Sequence, residues 1–507
     1  MSRNTVAKAY VVSDDSRAGA TQVPDDPDMG TLIAARFRLL VALELAVSAA
    51  LGFYRLGTPS LWLDEAVGWC AASGSWSYLF SRAVAGDDTG GFLFATLAHL
   101  WIPLAGSSET ALRLPGVLFG LATTALTIWT ARRLWSRDTA LWAGAVTAIH
   151  PSLIGASRTA RGYVLLVLVA AWCLHLLTRQ WQQSRRTGGV AMAVVALAAP
   201  MTHVFGVFLV AGTALCSWLI ASRVEPGPEG RRLTVTRSSL NQIASAARPL
   251  VPFVPALAFA LLWALAMRGR IRANLAAFWT SGSLLRDHAG VVVVLLLPVV
   301  AGCACLWWFE PRHRRRALVV GAAVLTTPVW VGPILVSLLA SGGHHFVNIR
   351  YAIALLPLGT LAFGYAFSCL PMRIAVVALL LGSVAVGANL HGKNTYATAT
   401  RDGSETRDAA AFLRGHMAPG AALLVYPDYE RVSLDYYGVA AGGCPASRPD
   451  VGPDAPRAEP WRRGRPTWVV AFNETAATIP AGMRADIDTW RFGRLVVTRA
   501  VPRLWGE

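Results

Sequence analysis

The chain has 507 residues, of which 54% are hydrophobic and only 15% charged, a balance that excludes an ordinary soluble globular protein and indicates a polytopic membrane protein. A formal net charge of +17 would suit a nucleic-acid binder, but the arginines fall in short clusters between apolar runs, as the positive-inside rule predicts for cytoplasmic loops. Membrane orientation accounts for the charge, and nucleic acid is not expected as a partner.

Residues 1–31 are polar and rich in Asp, Ser and Arg, which predicts a disordered cytoplasmic tail and no cleavable signal peptide. Apolar runs approaching the roughly 20 residues of a spanning helix follow at 32–53, 113–131, 139–156, 162–178, 189–201, 203–222, 249–267, 289–308, 317–340, 351–369 and 373–390. They predict an α-helical transmembrane domain over 32–390 with about eleven spans. Basic clusters at 36–38, 132–137, 179–186, 223–248 and 312–316 all fall on the cytoplasmic side if Gly91–Gly106 does not cross, while Arg268, Arg270 and Arg272 fall outside. That short run, holding His99 and Pro103, is expected as an amphipathic helix on the outer surface.

The outer side then receives a long first loop over 54–112, a turn at 157–163, the neighbourhood of His203, the stretch SGGHHFVNIRY and the C-terminus. Residues 391–507 have the composition of a soluble unit: RDAAAFLRGHM has helical spacing, whereas AALLVYP, TWVVAF and RLVVTRAV read as short buried strands. A small extracytoplasmic α/β domain is expected there, with a Gly-, Pro- and Arg-rich loop at 442–466. The closest cysteines, Cys303 and Cys305, lack neighbouring ligands for zinc; Cys70 and Cys444 both fall on the outer side, so a bridge between them is open.

Ionisable residues beside membrane helices are costly and mark functional sites. Here they gather at one side: Asp64 and Glu65 in SLWLDEAVGW, Asp87 and Asp88 in GDDTGG, Arg158 and Arg161 with Tyr163 in SRTARGY, His203 in MTHVFG, and His344, His345, Asn348, Arg350 and Tyr351 near HHFVNIRY. Each has a plainer role open to it. The acids can cap helices, the arginines can reach lipid headgroups, His203 can be a satisfied interfacial histidine, and the tyrosines can anchor the interface. Their shared side favours a common purpose, since a carboxylate can take a proton from a nucleophile while cations hold a phosphate. The acidic pairs can equally hold a divalent cation against that phosphate, so the metal question stays open.

SLWLDEA after the first helix, GDDTGGFLFATLAHLW, ETALRLPGVLFGLAT, ARRLWSRDTALWAGAVTAIHP, SRTARGYVLLV, MTHVFGVFL and RYAIALLPL, in that order, make the chain resemble the GT-C membrane glycosyltransferases. Within them it is similar to the bacterial group of protein O-mannosyltransferase-like and lipid A aminoarabinose transferase-like enzymes. The resemblance implies a polyprenyl-phosphate-linked sugar as donor, an acceptor hydroxyl on an envelope glycan, glycolipid or protein, and an active site on the outer face of the cytoplasmic membrane. The first-loop acid, the family's catalytic base, carries over to Asp64, with Glu65 beside it. The donor phosphate falls to Arg158, Arg161, His203 and Arg350, and substrate contacts to Asp87, Asp88, Tyr163 and Tyr351. Thr89, Gly90 and Gly91 stand where relatives carry His-Pro-Pro or Lys-Pro-Pro, so a cationic or imidazole group is missing and a rigid turn becomes a flexible one. A transporter or flippase of a lipid-linked substrate is the competing reading; it calls for polar helices at the bilayer midplane and an internal repeat, and neither is evident.

Overall fold

The structure is a computed structural model that describes residues 27–85, 91–183, 189–222, 247–278, 299–300, 303–308, 310, 312–341, 353–391, 405–418, 421–426, 431–439, 467–471, 483–492 and 495–502. Helix α1 (Pro27–Phe53) leads into the first loop, where α2 (Leu63–Ser73), α3 (Trp76–Ala85) and α4 (Phe92–Ala105) follow. The long α5 (Glu109–Leu134) starts at Ser108, whose hydroxyl accepts from Ala111 N at 3.2 Å; Glu109 in the first turn and Arg132 and Arg133 in the last complement the helix dipole.

The apolar run expected over 139–156 is two helices, α6 (Arg137–Ala148) and α7 (Pro151–Ser157). Pro151 has no N–H to continue a helix from the preceding turn, so the chain restarts there, with His150 Nδ1 accepting from Ser152 N at 3.2 Å. Next come α8 (Tyr163–Gln183), α9 (Gly189–Thr202) and α10 (Gly206–Ser222), then a 3₁₀ turn (Arg248–Phe253) running into α11 (Val254–Phe278), α12 (Arg312–Ser341), α13 (Leu356–Ser368) and α14 (Met372–His391). Among the described residues Glu109–Leu134, Tyr163–Gln183 and Arg248–Ala266 are long and apolar enough to cross a membrane, and several shorter apolar helices accompany them. Most of the expected run 289–308 lies outside the described residues.

Packing gathers these helices around α5 and α8. Helix α5 lies against α1, α6 and α8, α6 against α13, and α10 against α12, while Leu166, Cys173, Leu209, Phe253, Leu325 and Leu355 form one buried cluster across the bundle. The approach of α5 to the turn after α7 depends on Gly116, where a Cβ would sit 2.6 Å from Ser157 O.

Beyond the bundle, α15 (Glu405–His416), β1 (Ala422–Tyr426), α16 (Arg431–Tyr436), β2 (Thr467–Ala471), β3 (Met483–Phe492) and β4 (Leu495–Pro502) form a four-stranded sheet of order β1-β2-β4-β3, with β1 parallel to β2 and the other pairs antiparallel. Ala409, Ala410 and Leu413 of α15 cover Val425, Trp468, Val470, Leu495 and Val497, a one-faced burial that follows the helical spacing of the sequence. Strand β3 was not expected: its sequence mixes charged and apolar residues, and it occupies the sheet edge.

Candidate active site

The acidic pair opens α2, and its two members have different fates. Glu65 is the third helical residue, fully buried, and accepts from Trp62 N at 3.4 Å as a capping-box acid. Its oxygens also accept from Arg113 Nε at 2.9 Å, Arg113 Nη2 at 2.7 Å and Ala160 N at 2.8 Å. Arg113, itself buried on α5, donates further to the carbonyls of Leu56 at 2.8 Å, Pro59 at 2.9 Å and Ser60 at 3.1 Å. A carboxylate saturated in this way has no lone pair left for an incoming proton. The joint placement of Glu65 with Asp64 among catalytic residues is therefore revised on geometric grounds: Glu65 ties α2, α5 and the turn after α7 together.

Asp64 precedes it on the helix and projects about 100° around the axis from Glu65. The side chain is half-buried, and among the described residues no hydrogen bond or ion pair engages its carboxylate. Its backbone carbonyl accepts from Arg161 Nη1 at 3.2 Å, and that guanidinium lies against Gly68 one turn further along α2. The same turn thus docks on both acids, through the Ala160 amide on Glu65 and through the Arg161 side chain beside Asp64, although about a hundred residues separate them in sequence.

Arg158 sits at the start of that turn, as the residue ending α7. Two residues past Arg161, Tyr163 opens α8 with its ring 5.9 Å from that of His203. His203 is buried in the break between α9 and α10; Gly206 N donates to its carbonyl at 2.7 Å and Phe205 N to its Nδ1 at 3.2 Å, which leaves the proton of the neutral ring on Nε2. Structure therefore brings Asp64, Arg158, Arg161, Tyr163 and His203 to one end of the bundle. Asp87, Asp88, Thr89, Gly90, His344, His345, Asn348, Arg350 and Tyr351 lie outside the described residues. Among the described residues no three His, Cys, Asp or Glu side chains gather as metal ligands, and Asp87 and Asp88, the acids that would share a cation with Asp64, are not among those residues.

A second network was not anticipated from the sequence. Arg407 of α15 donates to Glu109 Oε1 from Nε at 3.0 Å and Nη2 at 2.7 Å, and to the carbonyls of Gly57 at 3.0 Å and Thr58 at 3.3 Å. Tyr437 accepts from Leu61 N at 2.8 Å and donates to the same Glu109 oxygen at 3.1 Å; burial pushes its phenol up to about 12, so the donor proton is retained. Tyr436 donates to Ser107 O at 2.6 Å and sets its ring edge-on to Trp69 at 5.0 Å. The loop ahead of Asp64 is thus held on one side by Arg113 and on the other by Arg407 and Tyr437, which places those two residues at the same end as the acids. Cys70 on α2 is disulfide-bonded, Cys173, Cys216, Cys303, Cys305 and Cys369 are free, and Cys444 lies outside the described residues.

Comparison with known proteins agrees with this architecture. Residues 89–227 match the family model of dolichyl-phosphate-mannose-protein mannosyltransferases. No curated protein matches the sequence. ArnT from Cupriavidus metallidurans is similar in its apo form, with a TM-score of 0.57 at 18% identity over 93% of this chain and 98% of that one. Its undecaprenyl-phosphate-bound form gives a TM-score of 0.56 at 17% identity over the same shares of the two chains. An oligosaccharyltransferase from Archaeoglobus fulgidus is more distant, with a TM-score of 0.45 at 12% identity over 82% of this chain and 61% of that one. The helical bundle followed by a small sheet is the fold that this chain shares with ArnT from Cupriavidus metallidurans.

Proposed function

We propose that the protein is an inverting glycosyltransferase that moves a sugar from a polyprenyl-phosphate donor to an acceptor hydroxyl of an envelope glycan, glycolipid or protein, on the outer face of the cytoplasmic membrane. The observation that carries this reading is the docking of the 158–161 turn beside α2, where Arg161 donates to the backbone carbonyl of Asp64, a residue whose carboxylate has no hydrogen bond or ion pair among the described residues. A polyprenyl phosphate bound to the ArnT of similar fold supports the donor class.

In this mechanism Arg158, Arg161 and His203, joined by Arg350, hold the donor phosphate, with Tyr163, Tyr351, Asp87 and Asp88 beside the substrates. The acceptor oxygen attacks the anomeric carbon opposite the phosphate. Its bond to that carbon forms as the sugar–phosphate bond breaks, the acceptor proton passes to Asp64, and the polyprenyl phosphate leaves with the bonding pair. The guanidinium groups stabilise the charge gathering on the departing oxygen, and one displacement with one base inverts the anomeric centre. Ionisable groups gathered at helix ends, rather than at a midplane site between repeats, do not support transport as the alternative.

Membranes containing the protein, supplied with a radiolabelled polyprenyl-phosphate sugar, test the reading. Release of polyprenyl phosphate with a product of opposite anomeric configuration is expected; retention of configuration would overturn the single-displacement mechanism.

A further inference from the structure

At the end of the bundle away from Asp64, α1, α5 and α6 enclose a groove of about 420 Å³. Phe37, Val41 and Leu45 line it along one stripe of α1, extending about 12 Å at 1.5 Å per residue, and Arg38, Arg132 and Arg137 converge on it from the three helices. The Arg132 guanidinium carbon stands 5.1 Å from the Phe37 ring centroid, a cation–π contact that keeps it over the groove. Two other arginines at this end are engaged within the protein: Arg133 donates to Gln182 Oε1 at 3.0 Å, and Arg314 donates to Leu134 O at 2.7 Å and pairs with Glu310 at 3.2 Å.

No carboxylate among the described residues pairs with Arg38, Arg132 or Arg137. Arg137 moreover stands in the first turn of α6, where the helix dipole favours negative charge. Three cations around one apolar slot therefore call for an anion attached to a hydrocarbon chain. A zwitterionic headgroup brings no net charge to offset them.

We propose that this groove binds one anionic glycerophospholipid of the leaflet opposite Asp64, its phosphate held by Arg38, Arg132 and Arg137 and an acyl chain lying along Phe37, Val41 and Leu45. Basic pockets between membrane helices are the recognised form of such sites. The site is separate from the proposed donor site, at the other end of α1 and α5.

The test uses the full-length protein in detergent, titrated with phosphatidylglycerol, phosphatidylcholine or polyprenyl phosphate and followed by native mass spectrometry and thermal melting. Phosphatidylglycerol is expected to bind and raise the melting temperature, with phosphatidylcholine giving neither effect. Combined Arg38→Gln, Arg132→Gln and Arg137→Gln substitution should weaken phosphatidylglycerol binding by about a hundredfold, the joint weight of three arginines on an anionic phosphate. An unchanged wild-type melting temperature in lipid-free detergent shows that the variant folds; if it falls, single Arg132→Gln replaces the triple variant, with a several-fold loss expected. Equal binding of phosphatidylcholine, or phosphatidylglycerol binding that survives the substitutions, overturns the proposal. It is also overturned if the substitutions weaken polyprenyl phosphate alone, which would make the groove a carrier site. Lipid binding that appears only after deletion of residues 2–26 would instead make the acidic stretch before α1 the occupant.

Discussion

Replacing Glu65 by Gln separates architecture from chemistry at the acidic pair. The substitution keeps the shape of the side chain but removes the charge opposite Arg113, whose side chain is only 3% exposed. Leaving one member of a buried ion pair unpaired costs about 3–5 kcal/mol. Because Arg113 also holds the carbonyls of Leu56, Pro59 and Ser60, the loss spreads to the loop carrying Asp64. Glu65→Gln should therefore lower the temperature at which the detergent-solubilised protein aggregates, measured by size-exclusion chromatography after heating, while the fraction that stays folded keeps measurable transfer. The exchange Glu65→Arg with Arg113→Glu should not restore stability, because a guanidinium at 65 cannot accept from Ala160 N and a carboxylate at 113 cannot donate to three carbonyls. A Glu65→Gln protein as stable as the wild type but without activity would refute this reasoning and return Glu65 to the chemistry.

Three further outcomes are expected. Arg407→Ala, which releases Glu109 and the carbonyls of Gly57 and Thr58, should cut turnover by about tenfold or more with a smaller change in KM, while Arg407→Lys restores part of it; the loss of about 1.5–3 kcal/mol for each charged hydrogen bond sets the scale. Burial raises the Asp435 carboxyl to about 6, against the pull of Arg431, so the folded state holds that proton more tightly than the unfolded chain. Stability from this group is full below about pH 4 and is lost as pH rises through about 6, and Asp435→Asn should flatten that part of a melting-temperature profile. Because the cysteines other than Cys70 and Cys444 are free, peptide mapping without reduction should recover a Cys70–Cys444 cross-link; a free thiol at Cys70 would contradict it.

Much of the bundle was legible because apolar length and arginine position are strong, local signals. The helix over 109–134 and the short one at 92–105 follow directly from them. The break at Pro151 was missed, because apolar length carried the single run expected over 139–156 across a proline that forbids continuation. The acidic pair was visible as an anomaly of composition, but adjacent residues on a helix point in different directions, and only the long-range pairing with Arg113 reveals which acid is spent on structure. Arg113 stands in ETALRLPGVLFGLAT without a legible role, since a single arginine near a helix start carries no sign of its partner. The roles of Arg407 and Tyr437 could not be recognised: they meet Glu109 across about three hundred residues, and the helical spacing of RDAAAFLRGHM says nothing of a partner for its first arginine. Strand β3 escaped because Arg484, Asp486 and Asp488 interrupt the apolar run that marked the other three strands.

In the proposed mechanism Asp64, and not Glu65, takes the acceptor proton beside a phosphate held by the arginine turn. Single-turnover transfer by Asp64→Asn, in membranes saturated with a polyprenyl-phosphate sugar, is the decisive test. A fall of about 10²–10⁴-fold at unchanged thermal stability and unchanged donor binding is the predicted result. Transfer near the wild-type rate would remove Asp64 as the base.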